Sequence, residues 1–391
     1  MKKTLFVLAF LFFATSDVFA CTTAIVTAGA SETGRPILWK QRDNRYENCV
    51  IYNDEGRFAF VGIANLPVAN EKHLAAGVNE VGFAIVRNTC NSMLHSPVEP
   101  SRTMGILHMA LTECETVDDF QKLLDSIPKP RPFGSNFGVI DAKGGAAYFE
   151  AGDYSYNRYD VPDGEYMIRT NFALQPVVPI NNENNMSVHR FNQAQEIMGR
   201  HKGKFSSEWL MDNLARSFYS TYNGADMLEA APGGRAFDRD FICRRTSISD
   251  VSIEGIGPGD RANSSVMWTM CGYPACCYAI PVWVAAGQDL PKCLSDDGTL
   301  SCEVFKFARE CRDYVHSEYY EYVDFNRLKP ILKEARKAER AEFAEGRRVE
   351  NALRRGFNRS LVRKYNSEAD SRWKLWSKRI REKYLPSDQG V

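Results

Sequence analysis

A cysteine at position 21 follows a segment with the pattern of a secretory signal. Residues 1–20 open with two lysines, continue through an apolar run and end in a small-x-small sequence. Cleavage after residue 20 would make Cys21 the first residue, with a thiol and a free α-amine on the same residue. An α-amine titrates near ~8, so part of it is unprotonated near neutral pH and can take the thiol proton. The pattern therefore predicts a nucleophile and its base in one residue.

Two other roles for this cysteine remain open. A cysteine after a signal can carry a lipid anchor, although Phe19, two residues before it, fits poorly where a small residue is usual. It can also be a disulfide cysteine that happens to stand first. We expect an exported protein, periplasmic or secreted, and keep a lipid-anchored surface binding protein as the alternative.

Polar residues follow the second of two short predicted strands, 23–27 and 36–39, which read as a hairpin. The hairpin returns this polar run to the side of the cysteine. A buried amine needs a carboxylate or carbonyl to orient it, and a nearby cation favours a thiolate. Asp43 can do the first, and Arg42 or Lys40 the second. The alternative is that the run is an ordinary solvated strand end.

Four further regions carry a resemblance to a known family. They are the strand pair 76–85, the hairpin 135–150, Arg169-Thr170-Asn171-Phe172, and 268–270 with 280–283. In this order, and with the N-terminal junction, they resemble the linear amide C–N hydrolases of the N-terminal-nucleophile superfamily. That group includes choloylglycine hydrolases, penicillin V acylases, isopenicillin-N acyltransferase-like enzymes and some cysteine dipeptidases. The resemblance covers about residues 21–315.

The resemblance implies a role for individual residues. Cys21 would be the nucleophile, and Asp43 would hold its α-amine. Asn171 would donate its side-chain amide to the oxyanion of the tetrahedral intermediate, a contribution of ~3–4 kcal/mol to the barrier. Asn88 would complete the oxyanion hole or bind substrate.

The chain departs from the family pattern at the cation. The family usually has Arg three residues before the aspartate, whereas this chain has Lys40 there and Arg42 next to Asp43. Which of them acts on the thiol is left open. A second family arginine, farther along the chain, would be Arg244 or Arg245.

Blocks of predicted strands alternate with pairs of predicted helices. The strand blocks are 21–90, 134–172 and 241–283, and the helices are 102–114, 117–126, 187–200 and 207–217. This order is typical of stacked sheets covered by helices. The resemblance implies the same α+β fold, a four-layer αββα sandwich.

Length and composition allow one large domain with an extension. The chain has 391 residues, 44% of them hydrophobic, which is enough for a large core. We predict a signal peptide at 1–20, the amidohydrolase domain at 21–320 and a charged helical extension at 321–391. Apolar stripes at helical spacing in this extension predict helices that pack on the catalytic domain or, alternatively, an oligomerisation arm.

The charge balance gives no reason to expect nucleic-acid binding. The formal net charge is 0, and it becomes about −1 when residues 1–20 with their two lysines and one aspartate are removed. Beyond the signal, no apolar run reaches the ~18 residues of a membrane span.

No cofactor or metal site is predicted. Six of the eleven cysteines lie between 271 and 311, but they lack paired Cys-x-x-Cys motifs with matching histidines. For an exported chain we instead expect one or two disulfides together with buried free thiols.

The function expected from all this is cleavage of a linear amide C–N bond through a thioester acyl-enzyme. The α-amine would take the thiol proton and pass it to the leaving amine. Interception of the thioester by another amine or thiol would make the enzyme an acyltransferase. The partner would be a small-molecule N-acyl amide or a short peptide, bound between loops 88–95 and 172–185. A dipeptidase of the same superfamily is the nearer alternative, and a homo-oligomer is left open.

Overall fold

The computed structural model describes residues 20–66, 73–93, 100–131, 133–181, 185–261, 264–299, 301–316, 321–356 and 358–386. Apart from residue 20, the predicted signal lies outside these ranges. So do parts of the two predicted pocket loops, at 94–99 and 182–184.

The strands agree closely with the blocks predicted from sequence. In chain order they are β1 Thr22–Val26, β2 Ile37–Asp43, β3 Glu47–Asn53, β4 Phe60–Leu66, β5 Leu74–Asn79, β6 Ala84–Thr89, β7 Ser135–Ile140, β8 Ala146–Ala151, β9 Tyr156–Asp160, β10 Tyr166–Arg169, β11 Tyr219–Ser220, β12 Ala225–Asp226, β13 Arg235–Phe237, β14 Ser247–Glu254, β15 Val266–Cys271, β16 Ile280–Trp283 and β17 Tyr322–Asp324. The turn predicted at 143–145 joins β7 to β8, and Gly144 supplies the positive φ of 89° that it needs.

The helices are α1 Pro100–Glu113, α2 Val117–Ser126, α3 Met186–Arg200, α4 Ser207–Asn213, α5 Met227–Ala230, α6 Glu303–Val315, α7 Phe325–Arg355 and α8 Arg359–Tyr384. Thr116 and Asp119 form a capping box that starts α2 at its predicted residue. Helix α4 ends four residues earlier than predicted, and α6 was not predicted.

Two antiparallel sheets form the centre of the molecule. One has six strands in the order β10-β1-β2-β14-β15-β16, and the other is a seven-stranded meander from β3 to β9. The predicted hairpin of β1 and β2 is confirmed, with Thr23 paired to Lys40. Because the strands of the hairpin are antiparallel, the start of β1 lies beside the end of β2.

The sheets face each other, and helices cover their outer sides. Strands β1 and β2 contact β6 and β7, and Gly138 allows a close approach because a Cβ there would lie 3.2 Å from Leu38 of the opposite sheet. Helices α1 and α2 pack on the seven-stranded sheet through an aromatic cluster around Phe120. Helices α3, α4, α6 and α7 pack on the six-stranded sheet. This is the four-layer αββα sandwich expected from the sequence.

The C-terminal helices belong to the same core as the six-stranded sheet. Phe343 of α7 stacks on Trp268 of β15 with ring centroids 4.0 Å apart. A Cβ at Gly346 would lie 2.5 Å from the same tryptophan ring, so the helix can approach this closely because the residue is glycine. The apolar residues at helical spacing near the start of the extension are buried here, as expected for helices that pack on the catalytic domain; they are Leu328, Ile331, Leu332 and Ala335. The domain boundary near residue 320 stays a prediction.

The cysteines are not paired as expected. All eleven are buried and free, so the prediction of one or two disulfides is wrong for this structure. The crowded cysteines of 271–311 lie in the apolar core between β15, α6 and the neighbouring loops. Within the part of the chain that the structure describes, no helix has the length and apolar character needed to cross a membrane.

Candidate active site

The strand register places Cys21 between the ends of two neighbouring strands. Thr22 pairs with Gln41 of β2, and Thr23 pairs with Arg169 of β10. Continuing the first register by one residue and the second by two puts Cys21 beside Arg42 on one side and beside Asn171 on the other. The cysteine is only 6% exposed, so its surroundings are protein rather than water.

The backbone of Cys21 is held by Asn171 and Arg190. The Cys21 N–H donates to Asn171 Oδ1 at 2.6 Å, and Arg190 Nη1 donates to the Cys21 carbonyl at 2.7 Å. Arg190 Nη2 also donates to Asn171 Oδ1 at 3.1 Å, while Asn171 Nδ2 donates to the carbonyl of Thr89 at 2.8 Å. These contacts assign the orientation of the asparagine amide and fix the position of the nucleophile's backbone.

Lys40 lies on the same face of β2 as Arg42, close enough to Cys21 to interact with its thiol. Its Nζ donates to the carbonyl of Arg87 at 2.7 Å and to Asn88 Oδ1 at 2.8 Å, and the side chain is buried. Burial lowers the pKa of Lys40 to about 8, although the nearby thiol favours the charged ammonium. Lys40 thus carries a proton that it can lose near neutral pH.

Two arginines complete a positive environment around the thiol. Removal from water lowers the pKa of Arg42 and that of Arg87 to about 10, and in both cases the charge of Cys21 acts in the opposite direction. Arg42 bonds to Asn65, and its Nη1 has no hydrogen-bond partner among the described residues. Both cations that the sequence left open therefore lie within electrostatic range of Cys21, together with Arg87.

Asp43 lies on the other face of β2. Its Oδ2 accepts from Arg244 at 2.7 Å, and its Oδ1 accepts from Gln41 at 2.7 Å and from Ser247 at 2.9 Å. Alternation along the strand separates this carboxylate from Lys40 and Arg42. In the described structure Asn171, not Asp43, is the hydrogen-bond partner of the Cys21 nitrogen, so the role of Asp43 at the amine stays a prediction.

Asn88 links the two sheets through hydrogen bonds. Its Oδ1 accepts from Lys40, and its Nδ2 donates to Thr23 Oγ1 at 3.1 Å. Tyr148 of the seven-stranded sheet donates to the same hydroxyl at 3.0 Å. Asn88 therefore positions the lysine, and its direct contact with substrate or oxyanion stays a prediction.

The described parts of the two predicted pocket loops touch each other next to the site. Ser92 Oγ accepts from the N–H of Ala173 at 2.7 Å, and the Ser92 carbonyl accepts from the N–H groups of Val177 and Val178. Leu174, Val177 and Val178 are exposed although they are apolar. The loop that follows Asn171 thus presents an apolar surface.

A family model described as acyl-coenzyme A:6-aminopenicillanic acid acyl-transferase matches residues 34–227, which carry Lys40, Arg42, Asp43 and Asn171. Over this region, just under half of the chain, the predicted resemblance to the N-terminal-nucleophile hydrolase superfamily is confirmed. The family match indicates an enzyme that hydrolyses an amide or transfers an acyl group. It begins after Cys21, so the identity of the nucleophile stays a prediction.

Solved structures of this superfamily are similar over most of their own length. A mutant conjugated bile acid hydrolase from Clostridium perfringens is 11% identical, with 68% of this chain and 92% of that chain covered and a TM-score of 0.41. An N-acylethanolamine-hydrolyzing acid amidase ortholog from Caenorhabditis elegans is also 11% identical, with 60% and 92% covered and a TM-score of 0.38. Penicillin V acylase from Agrobacterium tumefaciens is 11% identical, with 67% and 85% covered and a TM-score of 0.34. With TM-scores below 0.5, these likenesses add nothing to the functional assignment. No curated protein matches the chain.

Two residues of this N-terminal-nucleophile site were missed from sequence. Arg87 directly precedes Asn88 in β6. Because side chains alternate along a strand, the sequence could have shown that these two residues point to opposite faces. Arg190 lies in the middle of α3, nineteen positions after Asn171, and no local pattern connects the two. The approach of α3 to the end of β10 is what brings them together.

Proposed function

We propose that this protein is an exported enzyme that cleaves a linear amide C–N bond with the thiol of Cys21 as nucleophile. The observation that carries the proposal is the convergence of Lys40, Arg42 and Arg87 on that one thiol. None of the three forms an ion pair with a carboxylate among the described residues. Burying a cation without a counter-charge opposes folding, and an inert structural cysteine would not require it.

Removal of the signal would prepare the nucleophile. In the full-length chain the Cys21 nitrogen belongs to a peptide bond, and the preceding Ala20 is fully buried beside it. Cleavage after residue 20 would convert this nitrogen into an amine and would free the volume that Ala20 occupies. The amine can then accept the thiol proton as the sulfur attacks the carbonyl carbon of the substrate.

The surrounding donors suit the intermediates that follow. The attack produces an oxyanion, which the second amide hydrogen of Asn171 and the unpartnered Nη1 of Arg42 can stabilise. The C–N bond then breaks, the amine leaves with an added proton, and a thioester remains on Cys21. Water hydrolyses the thioester, or an acceptor amine or thiol takes the acyl group.

In the described structure Asp43 and Arg244 do not hydrogen-bond to Cys21 themselves, and we propose that they act on it through Arg190. The pKa of Arg190 is lowered to about 9. Burial and the positive charge of Arg244 lower it, and Asp43 and Cys21 act in the opposite direction. Arg190 is therefore close to both acidic groups, and we assign it the task of transmitting the position of the Asp43–Arg244 pair to the Cys21 backbone. These are positioning residues.

The acyl group of the substrate is proposed to be apolar. Leu174, Val177 and Val178 are between 42% and 53% exposed on the loop that follows Asn171. Exposed apolar groups beside a reactive centre are typical of a surface that covers an apolar ligand.

Two measurements test this function. The intact mass of the exported protein, with and without iodoacetamide, should show a chain that begins at an unmodified Cys21 and is labelled there first. The same protein should release amines from N-acyl butylamines of increasing acyl length, and intact mass should show the trapped acyl group. A diacylglycerol adduct on Cys21 would refute the proposal, because a blocked amine and a thioether cannot perform this chemistry. Cleavage of dipeptides alone would favour the dipeptidase.

A further inference from the structure

Lys40 occupies an unusual place in this site. Its ammonium donates to the Arg87 carbonyl at 2.7 Å and to Asn88 Oδ1 at 2.8 Å, and its side chain is on the face of β2 beside Cys21. The side chain is 1% exposed, so these acceptors replace water as its partners. The ammonium is therefore held in one position, next to the sulfur that attacks the substrate.

The groups that face Lys40 set its proton affinity. Burial disfavours its charge and lowers its pKa to about 8, and the positive charges of Arg42 on β2 and Arg87 on β6 act in the same direction. Cys21 acts in the opposite direction. The carboxyl of Asp250 on β14 also lies within electrostatic range of Lys40, and burial raises the pKa of that carboxyl well above its ordinary value. Lys40 can thus lose and regain a proton near neutral pH, which the two guanidinium groups beside it cannot do.

We propose that Lys40 is the general acid that delivers a proton to the leaving amine when the C–N bond breaks. This proposal rests on the proposed role of Cys21 as nucleophile. The nitrogen of the scissile amide must lie near the sulfur in the tetrahedral intermediate, and the strand register puts Lys40 beside the same residue. Proton transfer to a poor leaving group is a step that positioned acids accelerate by ~10²–10⁴-fold.

Every proton that is transferred during one turnover is returned by the end of it. The Cys21 amine takes the thiol proton as the sulfur–carbon bond forms. Lys40 gives a proton to the leaving nitrogen, the C–N bond breaks, and Lys40 becomes a neutral amine. The water that attacks the thioester gives its proton to Lys40 and its oxygen to the acyl carbon. The sulfur leaves as the carbon–sulfur bond breaks and recovers its proton from the Cys21 ammonium, so a carboxylic acid is released.

A Lys40→Arg variant separates the charge of this residue from its proton transfer. Arginine keeps a positive charge beside the thiol but stays protonated throughout the accessible pH range. Two hexanoyl substrates then distinguish the roles: 4-nitrophenyl hexanoate and N-hexanoyl butylamine. Both form the same thioester, but nitrophenolate leaves without a proton, whereas butylamine needs one.

The measurement is the rate of the first turnover, which excludes hydrolysis of the thioester. For Lys40→Arg we expect the amide rate to fall by about 100-fold or more relative to the rate of the nitrophenolate burst. In the wild type, the amide rate should decline as the pH rises through about 8, because Lys40 loses its proton there. Lys40→Arg should lack this decline. If arginine disturbs the fold in a thermal unfolding scan, the ratio of amide to ester rates in Lys40→Met provides the same comparison.

Equal losses on both substrates, or an unchanged amide rate, would overturn the proposal for Lys40. Failure of the proposed function would look different. A nitrophenolate burst that persists in Cys21→Ala would refute the nucleophile, and a wild type that gives the burst but cleaves no amide would refute the amidase.

Discussion

Buried positive charges have lowered pKa values in one region of this molecule and a raised pKa in another. At the start of β1, Lys40, Arg42 and Arg87 surround a thiol, and removal from water lowers the pKa of each of them. Beneath α7, Arg216 is equally buried, but Glu339 binds its Nη1 and Nη2 at 2.5 and 2.7 Å. There burial also opposes the charge, yet the carboxylate outweighs it and raises the pKa of Arg216.

The paired pattern continues along the C-terminal helices. Arg347 binds Glu254 at 2.5 Å and Glu350 at 2.9 Å, and Arg372 binds Glu342 at 2.7 Å. Paired charges hold α7 and α8 on the six-stranded sheet, whereas those around Cys21 lack carboxylate partners among the described residues. The difference indicates that the paired charges beneath α7 contribute to stability, while the charges around Cys21 stay available for a reacting group.

Loss of the thiol should have the largest effect. Cys21→Ser should reduce amide cleavage on the order of 10⁴-fold or more, because the attacking atom is lost, and should leave the fold intact. Initial rates and circular dichroism measure the two quantities. Cys114→Ser, a buried cysteine of another layer, is the matched control and should keep its activity. Wild-type turnover in Cys21→Ser would remove Cys21 from the mechanism.

Breaking a paired charge should affect stability instead. Glu339→Gln leaves the guanidinium of Arg216 buried without a counter-charge, so the free energy of unfolding should fall by about 3–5 kcal/mol. Denaturant unfolding measures it. The control is Glu310→Gln, which breaks the half-exposed pair with Arg381 and should cost no more than about 1 kcal/mol. Equal losses in both variants would contradict the contrast between buried and exposed pairs.

The Cys21 backbone contact should have an intermediate effect. Asn171→Ala removes the acceptor of the Cys21 nitrogen and a donor for the oxyanion, so kcat should fall by roughly 100-fold. Steady-state kinetics on the amide found in the acyl-length series would show it. A wild-type rate would remove Asn171 from the oxyanion hole.

Removal of the buried positive charge of Lys40 should have the smallest effect, a change in stability with pH. The pKa of Lys40 is about 8 in the folded chain and 10.5 ordinarily, so between these values the unfolded chain binds more protons and wild-type stability rises with pH. Lys40→Met removes this buried cation and should be more stable than the wild type at pH 7, with a difference that shrinks from pH 8 to 10.5. Unfolding curves across that range test it, and a variant destabilised at pH 7 would show that Lys40 supports the fold.

Local patterns in the sequence were sufficient for most of the secondary structure. Two short predicted strands, 23–27 and 36–39, indicated the first hairpin, and α2 begins at residue 117, as predicted. Such features depend on residues a few positions apart, so a sequence displays them directly. Helix α6 was missed because its amphipathic pattern stands within the cysteine-rich segment, which was interpreted as a disulfide region.

The site was predictable only in part. Cys21 and Asn171 were named from sequence, and the structure joins them at 2.6 Å. Asp43 was predicted to hold the same nitrogen, and this role stays a prediction. Alternation puts its carboxylate on the opposite face of β2 from Lys40 and Arg42, with Arg244. A one-residue difference in a strand reverses the face that a side chain occupies, which is why neighbours in sequence have separate surroundings here.

By itself, the sequence determined the candidate nucleophile, the hairpin that carries its neighbours, and the alternation of strand and helix blocks that implies an αββα sandwich. The tertiary structure alone decided that Lys40, Arg42 and Arg87 meet at one thiol, that Arg190 reaches the same backbone from a helix, and that the cysteines stay unpaired. The physical reason is distance along the chain. Periodicity and caps act over a few residues, whereas the charge and dielectric environment of a buried group depend on whichever strands and helices pack against it.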